Sequence, residues 1–400
     1  MKASVTTAVF LASATRLLAA QPNILLIMAD DMNWRDCSPY YDQPGGHAAG
    51  DMPGDLTPNM QTLAGQGLRF DRCYNASPMC APLRQQLYTG IYPIRNGAYP
   101  NHSEVKAGTK SIVHHLSALG YRIGLMGKRH FGPVDSFPFE LLGDDVGDST
   151  ENPNNRALAE AFMNRDPSQP YCLIVTSHSP HIAWNHGDYV ADNSTLPVTP
   201  DYVDTADYRT QFNKYLKEVN VFDSEVGYWM SAVDNSSDPD NTLFICLTEQ
   251  GASLPNAKWT CYSLGTRTGC IIRWPEHVSP GTSTDAVVEL VDVLPTLIEI
   301  AGGDPPTGLE RMDGLSFLPV LEGKKDYHKQ YAYAEQTTVG VLNAPDPYAV
   351  RSVCDSRYEL IWNIQHTNTF STGARTSQPF LSWEALAADP EANSEDRAHA

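Results

Sequence analysis

The 400-residue chain is 42% hydrophobic and carries a formal net charge of −19. It is long and apolar enough to bury one large core, or one large core and one small one. A protein this acidic repels nucleic acid and anionic membrane surfaces at long range, which argues against both as partners. An anionic substrate would therefore need a local pocket of basic side chains.

Residues 1–20 have the features of a secretory signal peptide. They contain Lys2, the apolar run VTTAVFLASA and then RLLAA, with Arg16 interrupting the apolar stretch. An ordinary N-terminal arm is the alternative. No other segment is long and apolar enough to cross a bilayer. We expect an exported protein that is extracellular, lysosomal or periplasmic.

Two further features fit an exported glycoprotein. Four sequons are present, at Asn75, Asn101, Asn193 and Asn235. The eight cysteines show no metal-type spacing, and in an oxidising compartment some of them could pair. They are Cys37, Cys73, Cys80, Cys172, Cys246, Cys261, Cys270 and Cys354.

Short apolar runs alternate with helical patterns along most of the chain. The runs are NILLIMAD, YRIGLMG, YCLIVTSH, NTLFICLT and GCIIRWP. The helical patterns include TPNMQTLAGQGL, after an N-capping Thr57, and KSIVHHLSALG, which closes on Gly120. This alternation predicts an α/β fold in which a large, mainly parallel sheet is covered by helices on both faces.

The pattern changes after about Asp326. YAYAEQ, YAVRSVC and YELIWNI predict antiparallel strands of a smaller α+β subdomain. We therefore expect a signal peptide at 1–20, a catalytic domain at 21–325 and a C-terminal subdomain at 326–400.

Acidic residues follow two of the predicted strands. Asp30 and Asp31 end the first, and Glu249 and Gln250 follow NTLFICLT. Either pair alone would be read as a solvated loop or a helix cap. Because both lie at the ends of buried strands, three carboxylates and an amide oxygen predict a site for a hard divalent cation such as Ca²⁺ or Mg²⁺.

Basic residues follow other predicted strands. Each is weak evidence alone, since a single histidine after a strand is more often structural and an arginine more often lies on a helix surface. Together they predict a cationic pocket suited to a tetrahedral oxyanion. They are Arg84, Lys128, His130, His178, His181 and Lys258.

In the order and spacing of its motifs, the chain resembles the sulfatases of the alkaline-phosphatase-like superfamily, and more narrowly the heparan N-sulfatase (sulfamidase) branch. The resemblance runs through PNILLIMADD, SPMCAPLR, GYRIGLMGKRHFGP, SPH, TEQG, AKWTCY, CIIRWP, VDVLPTLIEIAG and MDGLSFLPVLEG, and returns weakly at WEALAADPEAN. The branch rests on GKRHFGPVDSFPFE and AKWTCY. Relatives continue past this point into a closing helix, so the resemblance implies a shortened C-terminus.

The resemblance implies a modified residue at Cys80. The family signature is C-x-P-S-R, and Cys80, Pro82 and Arg84 match it, with Leu83 where the family has Ser. In the family a formylglycine-generating enzyme oxidises this cysteine to formylglycine. One hydroxyl of the hydrated aldehyde attacks sulfur, and proton loss from the other then expels sulfate. The alternative is a core or disulfide cysteine.

The resemblance also implies a metal site. Asp30, Asp31, Glu249 and Gln250 match the family's metal ligands, with the modified Cys80 beside the ion and Ca²⁺ as the usual metal. The family more often has Asp-Asn or Asp-His at the last two positions. Glu249 is also the candidate base for the attacking hydroxyl.

The remaining roles follow the same resemblance. Arg84 would hold the aldehyde hydrate, and Lys128 and His130 would steady it and the developing charge. His181 and Lys258 would bind sulfate and help to protonate the leaving group. Three residues are interpreted as structural or packing residues: His178, Trp259 and Tyr262.

Three functions stay open at this stage. The first is a sulfatase or sulfamidase that trims the ends of sulfated sugars or glycosaminoglycan fragments. The second is a phosphoester or phosphonate hydrolase of the same superfamily. The third is an inactive glycan-binding protein, which Leu83 and Glu249 suggest. The sequence does not indicate an oligomeric state.

Overall fold

The structure is a computed structural model that describes residues 21–41, 43–48, 50–145, 149–308, 311–344 and 346–399. The predicted signal peptide therefore lies outside the described residues. The centre of the fold is a nine-stranded sheet. Its strands are β1 (Asn23–Met28), β2 (Leu68–Tyr74), β3 (Arg122–Gly127), β4 (Glu140–Leu141), β5 (Tyr171–Thr176), β6 (Thr242–Leu247), β7 (Arg267–Arg273), β8 (Thr282–Thr284) and β9 (Val288–Glu289).

The sheet has the order β4-β3-β5-β1-β6-β7-β2-β8, with β9 beside β2. Strands β4, β3, β5, β1 and β6 are parallel neighbours. Strand β7 is antiparallel to both β6 and β2, so β2 points in the same direction as β6. The expected mainly parallel mixed sheet is confirmed. The carboxyl ends of β3, β5, β1, β6 and β2 consequently lie along one edge.

Helices cover both faces of this sheet. They are α1 (Pro58–Gln66), α2 (Cys80–Thr89), α3 (Pro93–Asn96), α4 (Ile112–Ser117), α5 (Pro153–Met163), α6 (Ala206–Asp234), α7 (Ser263–Thr266), α8 (Val293–Ile300), α9 (Leu318–Leu321), α10 (Gln378–Ala388) and α11 (Ser394–His399). Among the described residues, no helix combines the length and the apolar composition needed to cross a membrane.

The continuous apolar runs are explained by burial on two sides. Leu25 and Ile27 of β1 belong to a core that includes the buried face of the 29-residue α6. Ile24 and Leu26 belong to a second core on the opposite face, with residues of α2, α4 and α8. Because successive side chains of a strand point to opposite faces, both sets must be apolar.

The start of α1 differs from the prediction. The Thr57 hydroxyl accepts a hydrogen bond from Ser38 N at 2.7 Å rather than from the helix. The first turn is capped from α6, where Asp223 accepts from Asn59 N at 3.1 Å and Met60 N at 2.7 Å. A carboxylate from a distant helix thus supplies the acceptor that unpaired amides at a helix start require.

The predicted C-terminal strands are present as β10 (Ala332–Thr337), β11 (Ala349–Cys354) and β12 (Glu359–Asn363). They form an antiparallel sheet in that order. Its first strand contacts the segment that precedes α2, because Glu335 N donates to Ala76 O at 2.9 Å. The boundary near Asp326 stays a prediction.

The structure bears on two features that the sequence analysis linked to export, the cysteines and the sequons. All eight cysteines lie in the described part of the chain and are free thiols, so none is paired there. Asn75 is fully buried, and its amide donates to Gly265 O at 3.0 Å and Thr266 O at 2.9 Å. In the folded protein the Asn75 amide is therefore not accessible to solvent, so this sequon is weaker support for an exported glycoprotein than the exposed ones. Asn193 and Asn235 are exposed.

Candidate active site

The sheet brings the predicted polar residues to one edge. Asp30 and Asp31 follow β1, Lys128 follows β3, His181 lies beyond β5, and Glu249 lies beyond β6. These four strands are neighbours in the order β3-β5-β1-β6 and are parallel. Carboxyl ends of parallel strands are the usual location of sites in open α/β sheets.

The backbone at this edge is strained. Asp31 and Glu249 have φ angles of 62° and 69°, in the left-handed region that residues other than glycine seldom adopt. Gly127, with φ 90°, permits the turn that carries Lys128, since a Cβ there would lie 2.1 Å from Thr176 O. Strain of this kind is concentrated at functional sites, where the surrounding structure holds it in place.

Helix α2 delivers Cys80 to the same edge. Strand β2 ends there, and the following segment leads into α2, in which Cys80 is the first residue. Every residue of α2 is buried. The Cys80 Sγ lies 3.6 Å from Asp31 Oδ1 and 3.3 Å from Gln250 Nε2. Burial raises the pKa of the Cys80 thiol to about 12, so the unmodified residue is a neutral thiol at physiological pH.

Two cationic side chains face the first carboxylates. Arg84 lies one turn after Cys80, and its Nη2 is 2.8 Å from Glu249 Oε1 and 3.5 Å from Asp30 Oδ1. Lys128 Nζ contacts Asp30 Oδ2. Burial disfavours the charged form of Asp30, but the cationic groups around it hold its pKa well below the usual range.

A third cation neutralises the second carboxylate. Lys258 Nζ and Ser253 Oγ lie 2.5 Å and 2.7 Å from Asp31 Oδ2. His181 Nε2 is 3.6 Å from the same oxygen, and its side chain is 35% exposed. Burial opposes ionisation of Asp31, while Lys258 and His181 lower its pKa. Of the two cationic partners of Asp31, Lys258 is therefore buried and His181 is partly exposed to solvent.

The residues fit a divalent cation. Donor atoms of Asp30, Asp31, Cys80 and Glu249 all lie within 4.8 Å of one another. Within the described part of the chain, Asp30 Oδ1 and Glu249 Oε1 are buried with only the ion pairs to Arg84 given above. Gln250 Oε1 is buried without a partner among the described residues, while Gln250 Nε2 donates to Asp31 Oδ1 at 2.5 Å. Unsatisfied buried oxygens are costly, and a hard cation would satisfy several at once. The ion itself is not identified.

The environment of Glu249 differs from that of the two aspartates. Its Oε2 accepts from Asp31 N at 3.0 Å. Burial raises the pKa of Glu249 to about 8, with Arg84 opposing the shift and Asp30 adding to it. Like charges and burial separate the pKa values of neighbouring carboxyls in this way.

His130 makes a contact that the sequence did not indicate. Its Nε2 lies 2.8 Å from His102 Nδ1, and the two rings are 4.8 Å apart. Burial, with Lys128 and Arg84, lowers the pKa of His130 to about 3, which indicates a neutral ring beside the cationic cluster. In the sequence, His102 stands out only as the middle residue of the Asn101 sequon. Ser253 was also missed, because nothing in TEQGASLPNAKW distinguishes it.

The three residues interpreted as structural or packing residues differ in their surroundings. Trp259 N donates to Pro78 O at 3.0 Å, and its ring lies 4.9 Å from Lys258 Nζ, so it links the loop after β6 to the start of α2. Tyr262 is 52% exposed, so its interpretation as a packing residue is wrong. His178 is half-buried, and burial lowers its pKa.

Two family models match the chain. The model described as Sulfatase covers residues 22–303. The model described as N-sulphoglucosamine sulphohydrolase, C-terminal, covers residues 257–380.

Curated relatives include an ulvan-active sulfatase of Formosa agariphila, which is 31% identical over 350 residues, covering 87% of this chain and 67% of that protein. The N-sulphoglucosamine sulphohydrolase of Homo sapiens is 24% identical over 398 residues, covering 88% of this chain and 76% of that protein.

Solved structures agree on the fold. One, in complex with its substrate D-glucosamine-2-N,6-O-disulfate, has a TM-score of 0.65 at 18% identity and covers 86% of this chain and 89% of its own. A phosphonate monoester hydrolase from Silicibacter pomeroyi also gives 0.65 at 18% identity, covering 92% and 94%. At this identity the likeness establishes the alkaline-phosphatase-like fold alone.

Leu83 allows a test of how α2 is packed. Its side chain is fully buried in the core that contains Ile24 and Leu26. We expect Leu83→Ala and Leu83→Ser each to lower the free energy of unfolding by about 2–5 kcal/mol, because both leave the same cavity. The two should differ by less than about 1 kcal/mol, since a helical Ser hydroxyl can bond a carbonyl one turn earlier.

Urea unfolding of the two variants beside the wild type measures both quantities. A loss below about 1 kcal/mol in Leu83→Ala would contradict the packing of α2 described above.

Proposed function

The chain belongs to the sulfatase family, and we propose that it releases sulfate from sulfated sugars with a formylglycine made from Cys80 and a bound divalent metal ion. The position of Cys80 carries this proposal. Its Sγ is 3.6 Å from Asp31 Oδ1, at the start of a buried helix and among three carboxylates and three cationic side chains. A cysteine with only a packing role would be expected among apolar side chains and not among these charged ones.

The charges of the site support both a metal and an anionic substrate. Asp30, Asp31 and Glu249 bring three negative charges when ionised, and Arg84, Lys128 and Lys258 bring three positive ones. A divalent cation would leave the pocket positive, which favours a sulfate group. This pocket could thus accept an anion although the protein as a whole is acidic.

The ligands we propose for the ion are Asp30, Asp31, Glu249 and Gln250, with the residue at position 80 beside them. Ca²⁺ is the proposed ion and Mg²⁺ the alternative, because all four side chains offer oxygen. When bound, the ion would lower the pKa of a neighbouring hydroxyl and offset charge on sulfate oxygens.

The chain's own groups have distinct proposed tasks. Arg84 and Lys128 orient the modified residue at position 80, and Glu249 accepts its proton. Lys258 and His181 lie on the opposite side of Asp31 and bind the sulfate oxygens. The hydrate of the formylglycine aldehyde would supply the second hydroxyl that allows sulfate to leave, and a serine has no such group.

His181 is also the proposed proton donor to the leaving group. Its Nδ1 lies 2.6 Å from Ile182 O, a carbonyl that can only accept, so Nδ1 carries a hydrogen. Nε2 is then the nitrogen that faces the site, and it can give a proton to the leaving group only from the imidazolium form, which carries a hydrogen on both nitrogens. The partial exposure of the His181 side chain supports this task, because a sugar would have to approach from the solvent.

The proposed substrate class is a sulfated sugar, and the narrower proposal is N-sulfoglucosamine at a chain end. Support comes from the two relatives named above and from the C-terminal family model. We also propose a glycosaminoglycan fragment as the natural substrate, a formylglycine-generating enzyme as the maturation partner, and export from the cytoplasm.

Phosphoester or phosphonate hydrolysis is the second candidate, because a phosphonate monoester hydrolase shares the fold at the same TM-score as a sulfated-sugar complex. Parallel assays on sulfate, phosphate and phosphonate esters of one alcohol separate the two. Turnover of phosphorus esters alone would replace the sulfatase proposal.

The first prediction of this proposal concerns Cys80. Protein produced with a formylglycine-generating enzyme should carry an aldehyde at position 80, visible in the peptide mass. Cys80→Ser should lose multiple turnover, because a sulfated serine has no second hydroxyl with which to expel sulfate.

Cys354→Ser, at a partly exposed cysteine of β11, is the matched control and should keep both the modification and the turnover. An active enzyme whose position 80 remains a thiol, or wild-type turnover by Cys80→Ser, would contradict the proposed mechanism.

The second prediction concerns the metal. Removing divalent ions should abolish turnover, and Ca²⁺ or Mg²⁺ should restore it. Elemental analysis should find about one ion per chain, and less in Asp30→Asn, which keeps the side-chain shape but removes one charge. Metal-free protein with full activity would eliminate the metal from the proposal.

The third prediction concerns His181. His181→Ala should lower kcat on sugar sulfates by about 10²-fold or more, because sugar alkoxides and amines leave poorly without a proton. The loss should be much smaller on aryl sulfates. His181→Gln, which keeps a polar group near Nε2 but transfers no proton, should behave like His181→Ala.

Steady-state kinetics on matched aryl and sugar substrates measures these losses. Equal losses on both substrates would restrict His181 to sulfate binding. Hydrolysis of O-sulfated but never N-sulfated glucosamine would remove the sulfamidase assignment and leave the sulfatase one.

A further inference from the structure

Three side chains form a hydrogen-bonded chain at the rim of the site. Asn101 Nδ2 lies 3.1 Å from His102 Nε2, and His102 Nδ1 lies 2.8 Å from His130 Nε2. His130 Nδ1, at the end of this chain, is buried and has no hydrogen-bond partner among the described residues.

The contacts of Asn101 determine which nitrogen donates and which accepts in each of these hydrogen bonds. Asn101 Nδ2 also lies 3.4 Å from Gly340 O, and a carbonyl can only accept, so the amide nitrogen is on this side. Asn101 therefore donates to His102 Nε2. A neutral His102 must then carry its hydrogen on Nδ1 and donate to His130 Nε2. The remaining hydrogen of a neutral His130 is consequently on Nδ1.

The loops that carry the two histidines are held on α2. Gln85, the residue after Arg84, is fully buried. Its Oε1 accepts from Val105 N at 3.1 Å and Gly132 N at 3.4 Å, and its Nε2 donates to Ser103 O at 2.8 Å. One side chain thus joins the helix of Cys80 to the segment after His102 and the segment after His130. The two segments that carry the histidines are therefore held in position relative to α2.

Both histidines occupy backbone conformations that need such support. His102 and His130 have φ angles of 59° and 54°. Residues other than glycine adopt this region at a cost, and they keep it where surrounding contacts determine the conformation. His102 is exposed on the solvent side, whereas His130 is half-buried beside Arg84 and Lys128.

We propose that Asn101 and His102 are positioning residues that hold His130 as the Nδ1–H tautomer, so that it presents a hydrogen-bond donor to an oxygen bound in the site. A histidine tautomer is set by the partner of its other nitrogen. The donor at Nδ1 would serve an oxygen of the modified residue at position 80 or of the substrate. A glycan on Asn101 Nδ2 would replace a hydrogen of this chain.

The direct test reads the tautomer itself. ¹⁵N-histidine-labelled protein, with His130 signals assigned by comparison with His130→Gln, should show a protonated Nδ1 and an unprotonated Nε2 in wild-type His130. This readout needs no substrate and no turnover. A wild-type His130 protonated at Nε2 would overturn the inference, whatever the reaction catalysed.

A matched pair of variants at His102 extends the test. His102→Asn and His102→Asp are alike in size and both tolerate positive φ. The Asn side chain can still donate to His130 Nε2, whereas an ionised Asp can only accept. The Asp variant should therefore shift the His130 proton to Nε2, and the Asn variant should retain it on Nδ1.

Turnover should follow the tautomer. We expect kcat of His102→Asp to be about 10- to 100-fold below that of His102→Asn, with KM changed much less, because outer partners of this kind usually affect activity by that factor. Equal kcat values in the two variants, or a retained Nδ1 proton in the Asp variant, would overturn the positioning role.

The kinetic part rests on the proposed function, and the spectroscopic part does not. Absence of sulfate release from every variant including the wild type would count against the proposed function. The tautomer of His130 would still show whether Asn101 and His102 position this histidine as proposed.

Discussion

The burial of three carboxyl groups at one edge of a parallel sheet is the constraint on which the rest of this structure depends. Removing a carboxylate from water costs several kcal/mol unless a cation and hydrogen bonds replace the lost hydration. Asp30 and Asp31 are fully buried, and their compensating charges come from Arg84, Lys128 and Lys258. These cations lie on α2, after β3 and after β6. The packing of those elements against β1 is therefore tied to charge balance as well as to apolar contact.

The same constraint explains why the site stores strain. Asp31 and Glu249 turn their side chains toward Lys258 and Arg84, respectively, shortly after the chain leaves a strand, and both adopt positive φ. Gly251 follows this turn with its backbone so close to Leu264 that a Cβ would lie 2.1 Å from Leu264 O. The chain thus keeps acidic groups close together where, without an ion, they repel one another. The divalent cation that we propose would relieve that repulsion, and the resulting surplus of positive charge would attract an anion.

Much of the fold was predictable because buried strands and helix faces produce regular patterns of apolar residues in the sequence. The strands β1, β3, β5, β6 and β7 coincide with the apolar runs, and the antiparallel β10–β12 sheet coincides with the predicted C-terminal strands. The errors concern side chains whose partners lie far away in sequence. Thr57 bonds Ser38 instead of capping α1, and Asp223 of α6 does the capping. The sequence did not reveal that the Asn75 amide is buried, because a three-residue sequon contains no information on burial.

For the site, the sequence by itself determined which strand ends carry acidic and basic groups, since each group directly follows an apolar run whose direction is set by the parallel sheet. It also identified Cys80, through a short motif. Only the tertiary structure decided which groups touch. Ser253 meets Asp31, and His102 meets His130, through loops that have no periodicity. Their conformations depend on hydrogen bonds such as those of Gln85 to three segments of backbone. Such hydrogen bonds join residues that are close in space but distant in sequence. No local sequence pattern therefore predicts them.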